Sequence, residues 1–403
     1  MKVASVPSES TGLGRVRFFN LLHNEIGRRP IPTLERHWCR GRSKAVAHPI
    51  INCQDPLSTT SGRALFSAEN GDLYIGRGCQ IYRSQDRGLT WQRDCFVPSF
   101  GWKHQCSRVR ILARLLRWYI AALRVLPDGS RLAVARDGIY RAAAGEQAMT
   151  RVFAIQRGSR PLNFSVDRSR VLFGEYGSGL EETEVLIYVS EDYGKTFHEG
   201  FRFPKGDIRH VHHVMVDPSE GHYWVLVGDF GRQTGVGVLS RDLKHLEWLG
   251  RGTQRYRAVS ALIEPDCLVY GTDSDRDRNF IVRLDKQSGR IDELKEVEGS
   301  SLYSARFGGL RVISTAVEPN PYCRSRECSL YGSRNGGPWQ KLVTHRKDYL
   351  SPVYFQFGTL VLPYTQDSPQ TALMYSGQAV DGLDGRVALI GSETEIQQIA
   401  RAA

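Results

Sequence analysis

Cys79–Trp91 reads CQIYRSQDRGLTW, and Val185–Phe197 reads VLIYVSEDYGKTF. Each is an apolar run that ends in serine, passes through an acidic turn containing glycine, and closes on threonine and an aromatic. Cys328–Trp339, CSLYGSRNGGPW, repeats the pattern with Asn335 in the place of the acid. Gly235–Trp248, GVGVLSRDLKHLEW, keeps a serine, an aspartate and the final tryptophan. Recurrence of one such unit along a chain marks a repeat architecture. The residue types describe a hairpin turn. Serine and aspartate side chains satisfy turn amides, and glycine takes the positive φ that other residues resist.

The octamer S-x-D-x-G-x-T-W resembles the Asp box, or bacterial neuraminidase repeat, of sialidase-like β-propellers. The matches fall at Ser84, Asp86, Gly88, Thr90 and Trp91, and at Ser190, Asp192, Gly194, Thr196 and Phe197. Turn chemistry accounts for these residues fully, so they are expected to be structural. The resemblance implies an all-β propeller with Asp-box turns. Alignment on the third strand gives seven blades, with six as the alternative. They span Ala64–Phe96, Leu123–Ile155, Leu162–Phe203, His212–Leu249, Tyr256–Val297, Leu302–Leu342 and Tyr354–Met374. On this division residues 61–376 are the propeller. Residues 1–60 wrap its outside and can supply a ring-closing strand, since propellers must cover their edges. Residues 377–403 form a tail, helical over Glu393–Ala403.

Composition agrees with one large folded unit. The chain has 403 residues, 41% hydrophobic and 24% charged, with 40 glycines. Its 54 Lys and Arg against 43 Asp and Glu leave a net charge of +11, which suits an acidic glycan as partner. No helix-turn-helix, zinc-finger or RRM signature is present, so nucleic acid is not an expected partner. The eight cysteines lack C-x-x-C spacing and are expected to be reduced thiols, although Cys323 and Cys328 are close enough to close a small loop. There is no uninterrupted apolar leader or membrane-length apolar run, so a cytoplasmic monomer is expected. Arg110–Leu126, RILARLLRWYIAALRVL, mixes basic and apolar residues and runs into a Pro-Asp-Gly turn, which predicts an inner strand.

In a four-stranded blade the turn from strand three to four lies on one face of the disc. Blade starts and the connection from strand two to three lie on the other. The functional residues are therefore sought opposite the Asp boxes. Second-strand ends supply Glu175, Asp229, Asp273 and Glu318 in successive blades, with Arg77 at the matching place in the first. Blade starts supply Arg209, His210 and His212, then Tyr256 and Arg257, then Arg306, then Tyr354 and Gln356. Carboxylates and imidazoles at one rim are the equipment of acid–base glycan cleavage. Glu175, Asp229, His210, His212, Tyr256 and Glu318 are the catalytic candidates. Arg77, Arg209, Arg257, Asp273, Arg306, Tyr354 and Gln356 are the substrate-binding candidates. No metal or other cofactor is expected. The alternative is a divalent ion on the His-x-His pair with Asp229 completing its shell.

The resemblance implies a sialidase-type hydrolase, with an arginine triad for the substrate carboxylate, a tyrosine nucleophile and an aspartic acid. The Arg-Ile-Pro signature of that family is absent, and only Gly76-Arg77-Gly78 stands in its place. A second enzyme reading is β-elimination from a uronate polymer, which propeller lyases perform with channel histidine, tyrosine and arginine. The alternative outside enzymology is a non-catalytic propeller that binds a glycan or protein in surface-polysaccharide production.

Overall fold

A computed structural model describes residues 58–98, 102–177, 183–323, 325–365 and 373–390. The wrapping segment expected over residues 1–57 and the helix expected over Glu393–Ala403 lie outside the described residues, as do Cys39 and Cys53.

The fold is an all-β propeller. Five blades stand as separate sheets among the described residues, spanning 63–96, 122–154, 165–203, 210–251 and 262–297. Each is an antiparallel meander of four strands. The first blade gains Tyr364–Thr365, which runs parallel to Phe66–Ser67 on its innermost edge. The remaining strands form one eight-stranded sheet, in which Ala316 and Val317 pair with Thr359 and Gly358. Ser58–Ser61 pairs with Arg386–Ile390 at the outer edge of that sheet. The propeller thus continues past residue 376: residues 377–390, expected to be tail, supply the end of one strand and a further strand.

Apolar clusters fill the spaces between successive sheets and close the circle. Leu132, Val134 and Ile139 of the second blade meet Val171 and Phe173 of the third. The ring closes where Ala64, Leu73 and Ile75 of the first blade pack on Met374, Val387 and Leu389. Burial of such side chains contributes roughly 1.5–3 kcal/mol each, and it is the main force holding neighbouring blades together.

The Asp boxes sit in the turns between third and fourth strands. Asp192 accepts hydrogen bonds from the Thr196 amide (3.0 Å) and hydroxyl (2.7 Å), and Ser190 Oγ accepts the Gly194 amide at 2.9 Å. Ser84, Asp86, Gly88 and Thr90 repeat the arrangement. Gly88 has φ of +91°, and a Cβ there would lie 2.2 Å from Leu389 Cδ1, so the turn requires glycine twice over. Trp91 packs in the ring-closing cluster and Phe197 between the second and third blades.

One expected strand is a helix. Arg110–Leu116 is helical, preceded by the helix Trp102–Arg108, and only Ala122–Val125 forms the inner strand. Helical spacing turns Arg114 inward, where it pairs with Asp348 at 2.5 Å and donates to the Phe355 carbonyl. That tertiary anchor outweighs the alternation in the sequence. Among the described residues, no helix is long and apolar enough to cross a membrane. The six described cysteines, Cys323 and Cys328 included, are free thiols.

Candidate functional site

Opposite the Asp boxes, the innermost strands surround a cavity of about 2040 Å³. One group of polar side chains lines it through Arg209, His210, Asp229, Arg257 and Asp273, and a second, around Tyr119, adjoins it through Arg117 and Arg124.

The first group belongs to the fourth and fifth blades. His210 opens the inner strand His210–Val216, and a bulge at His212 breaks the register with the second strand. Bulges re-aim side chains, and here His212 comes beside His210, their Nε2 atoms 3.0 Å apart. Asp229 ends the second strand, with Oδ1 at 3.3 Å from His210 Nε2 and 3.7 Å from His212 Nε2. Its Oδ2 pairs with Arg209 at 3.1 Å. Arg257 then forms ion pairs with three acids, Asp229 (3.2 Å), Asp273 (3.2 Å) and Asp275 (2.9 Å).

Burial sets the acids apart. It opposes ionisation of Asp229, but His210, His212 and Arg257 outweigh it and hold this carboxyl far below the usual range. Burial of Asp273 wins over Arg257 and pushes its carboxyl up to about 7. Partial burial also raises Glu318, against the hydrogen bond that Ser300 donates at 2.9 Å. Burial pushes the His212 imidazole down.

The second group surrounds Tyr119, just before the second blade's inner strand. Its hydroxyl accepts hydrogen bonds from Gln356 Nε2 (2.7 Å) and Arg160 Nη2 (3.0 Å). The Arg160 and Arg63 guanidinium groups lie 4.8 and 5.1 Å from its ring centre. Burial pushes the phenol up, yet Arg160, Arg63 and Arg117 together overcome it and bring the pKa down to about 8. Deeper in the channel, Arg124 is buried and stacks 3.4 Å from the Tyr364 ring centre. Among the described residues, Arg63, Arg124 and Arg160 form no ion pair; they bond to Gln378 and Tyr303, to Leu123 and Asn163, and to Arg117 and Tyr119.

The BNR-Asp box repeat profile matches residues 187–199, the hairpin whose Ser190–Asp192–Thr196 bonding is described above. The chain carries an Asp-box repeat on a propeller fold. No curated protein sequence matches this Asp-box propeller. Solved structures share its fold at low identity. A chain from a mitotic checkpoint complex is 10% identical over 91% of this chain and 100% of its own, with a TM-score of 0.53. An oligogalacturonate lyase in complex with manganese is 10% identical over 84% of this chain and 92% of its own, at 0.51. The extracellular domain of a one-component system from B. thetaiotaomicron is 10% identical over 83% of this chain and 39% of its own, at 0.52.

Of the residues nominated from sequence, the Asp-box propeller brings Arg209, His210, His212, Asp229, Arg257 and Asp273 into one cluster, and Glu318 lines the same cavity. Gln356 belongs to the Tyr119 group. Others stand apart. Glu175 accepts from Arg157, the Leu186 amide and Tyr188, a set that ties its own blade together. Tyr256 donates to the Gly289 carbonyl and covers Gly250. Arg77 donates to Ser61 and Thr60 of the ring-closing strand. Arg306 lines the cavity but pairs with Glu264 at 2.8 Å, and Tyr354 is exposed. Sequence reasoning passed over Tyr119, Arg63, Arg124 and Arg160. Their only local sign is an arginine or tyrosine at the start of an inner strand.

Proposed function

We propose that this protein binds an acidic glycan at the channel mouth and cleaves it by β-elimination. The observation that carries the reading is that Arg63 and Arg160, beside Tyr119, form no ion pair among the described residues. A half-buried guanidinium without a counter-ion is a ready partner for an anion, and a ligand carboxylate would meet it with charge-assisted hydrogen bonds. Arg63 and Arg160 would take the uronate carboxylate, which makes the C5 hydrogen more acidic. Tyr119, with its pKa lowered to about 8, is part phenolate near neutral pH and accepts that proton. The C5–H electrons form the C4=C5 double bond, the C4–O4 bond breaks, and the leaving oxygen takes a proton from water.

The net charge of +11 supports an acidic substrate. A fold neighbour is an oligogalacturonate lyase, so a propeller of this shape accommodates uronate cleavage. The test is incubation with polygalacturonate, alginate and hyaluronan while the ultraviolet absorbance of unsaturated uronate is followed. A rise that Tyr119→Phe abolishes is the expected result. Reducing ends without that absorbance would mean hydrolysis instead, and binding without any product would mean a non-catalytic glycan-binding propeller.

We also read the eight-stranded sheet as two blades of four strands, 301–346 and 358–390 completed by Ser58–Ser61, for seven in all. Support comes from its strand order, which breaks into two meanders at the Ala316–Thr359 pairing.

A further inference from the structure

The His210–His212–Asp229 cluster has a feature that the glycan reading does not use. His210 Nδ1 lies 3.0 Å from the Gly177 carbonyl oxygen, and His212 Nδ1 lies 2.8 Å from that of Ala258. A carbonyl can only accept, so each Nδ1 carries the hydrogen. In the neutral rings, each Nε2 is then a bare lone pair. These two lone pairs point at one another across 3.0 Å, and Asp229 Oδ1 adds a third acceptor at 3.3 and 3.7 Å. Three acceptors therefore converge on one buried point: the two imidazole lone pairs have no donor between them, and Arg257 reaches the same Oδ1 from the side at 3.2 Å.

We propose that His210, His212 and Asp229 hold a first-row divalent transition-metal ion, of the zinc, manganese or iron(II) kind. The separations fit such an ion. With metal–ligand bonds of about 2.1 Å, neighbouring ligand atoms lie about 3.0 Å apart at right angles and about 3.4 Å apart at the tetrahedral angle. Two imidazoles and one carboxylate select these metals over calcium and magnesium, which prefer all-oxygen shells. The supporting bonds are those of a built site. Each imidazole is fixed through its far nitrogen by a backbone carbonyl, and Arg209 orients the carboxylate through its other oxygen. Gly228 makes room: a Cβ there would lie 2.4 Å from His212 Cε1. The Tyr176 ring covers His210, with centroids 4.4 Å apart. His210 and Asp229 also line the cavity, so the remaining coordination positions open toward the channel. That is the arrangement of a catalytic rather than a purely structural ion.

This site does not rest on the glycan reading, because it uses the other group of residues and is tested without a glycan. The full chain is treated with chelator, dialysed and titrated with Co²⁺, Zn²⁺ and Mn²⁺ by calorimetry, with Mg²⁺ and Ca²⁺ as comparisons. One equivalent of transition metal binds, the Co²⁺ form shows visible ligand-field bands, and metal raises the thermal midpoint. His210→Asn and His212→Asn keep a donor near the Nδ1 position and lose the Nε2 ligand. Binding then weakens at least about 100-fold, because losing even an outer supporting partner typically costs roughly 10–100-fold. The wild-type cobalt spectrum needs no variant, so a variant that fails to fold leaves the test intact. No stoichiometric metal on the wild-type chain, or unchanged affinity in both variants, overturns the proposal.

Discussion

The two groups beside the channel share arginine and solve the problem of charge in opposite ways. On the fourth and fifth blades, Arg209 and Arg257 meet Asp229, Asp273 and Asp275 within 3.2 Å. On the first three blades, Arg63, Arg124 and Arg160 meet aromatic faces, amide oxygens, a carbonyl and phenols. In the first group each arginine is matched by carboxylates. In the second, three arginines have no carboxylate among the described residues. Arginine count therefore says little about where an anion binds; what matters is which arginines the protein has left unmatched.

Breaking each group separately should give different outcomes. The largest effect is expected for Arg257→Leu, which removes the cation that Asp229, Asp273 and Asp275 share at the channel wall. Loss of one partner of a buried ion pair costs about 3–5 kcal/mol, read as a shift in the urea midpoint. Arg124→Met, across the channel, should cost no more than about 1 kcal/mol, because no carboxylate is left stranded. Equal losses would erase the distinction.

Next in size is Tyr119→Phe. Removing a proton-transfer group should lower the rate of uronate cleavage by about 10²-fold or more. The thermal midpoint should barely move, because the ring stays in place and only the hydroxyl is lost.

Arg160→Ala sharpens the same point through pH. The folded pKa of Tyr119 is about 8, below the ordinary phenol value near 10. Above pH 8 the native state releases its proton before the unfolded chain does. This group therefore adds stability as pH rises from about 8 to 10, and that gain is lost as pH falls back through 8. In Arg160→Ala the tyrosinate absorbance should titrate closer to 10, and the alkaline gain should shrink. An unchanged titration would show that Arg160 does not set the phenol's acidity.

The smallest effect belongs to the far face. Asp192→Ala removes the acceptor for Thr196 and should cost roughly 1 kcal/mol in chemical unfolding. Cleavage and metal affinity should stay unchanged, since the Asp boxes lie on the side away from the mouth.

How far the sequence could be read follows the range of the interactions. Ser190, Asp192, Gly194 and Thr196 satisfy one another within seven residues, so their role is written locally. His210 and His212 were legible as a strand pair, and the assignment of Asp229 to them followed from blade position. The bulge that brings His212 into line was not, because it depends on pairing with the second strand. Glu175 and Tyr256 have the right chemistry at the right rim, yet neighbours in their own blade and the next consume them. Tyr119 was invisible for the opposite reason. Its acidity is made by Arg160, Arg63 and Arg117, and of these Arg160 and Arg63, like its hydrogen-bond partner Gln356, come from distant parts of the chain. Arg110–Leu116 misled because alternation in seven residues cannot be told from a helix without the Asp348 anchor.

The most direct measurement is calorimetric titration of a short oligogalacturonide against its fully methyl-esterified counterpart, which keeps the sugars and removes the charges. The acid form should bind and the ester should not, and Arg63→Ala and Arg160→Ala should each weaken the acid by about tenfold. Equal affinity for both forms, or no effect of either variant, would contradict the claim that the unmatched arginines receive the ligand's carboxylate.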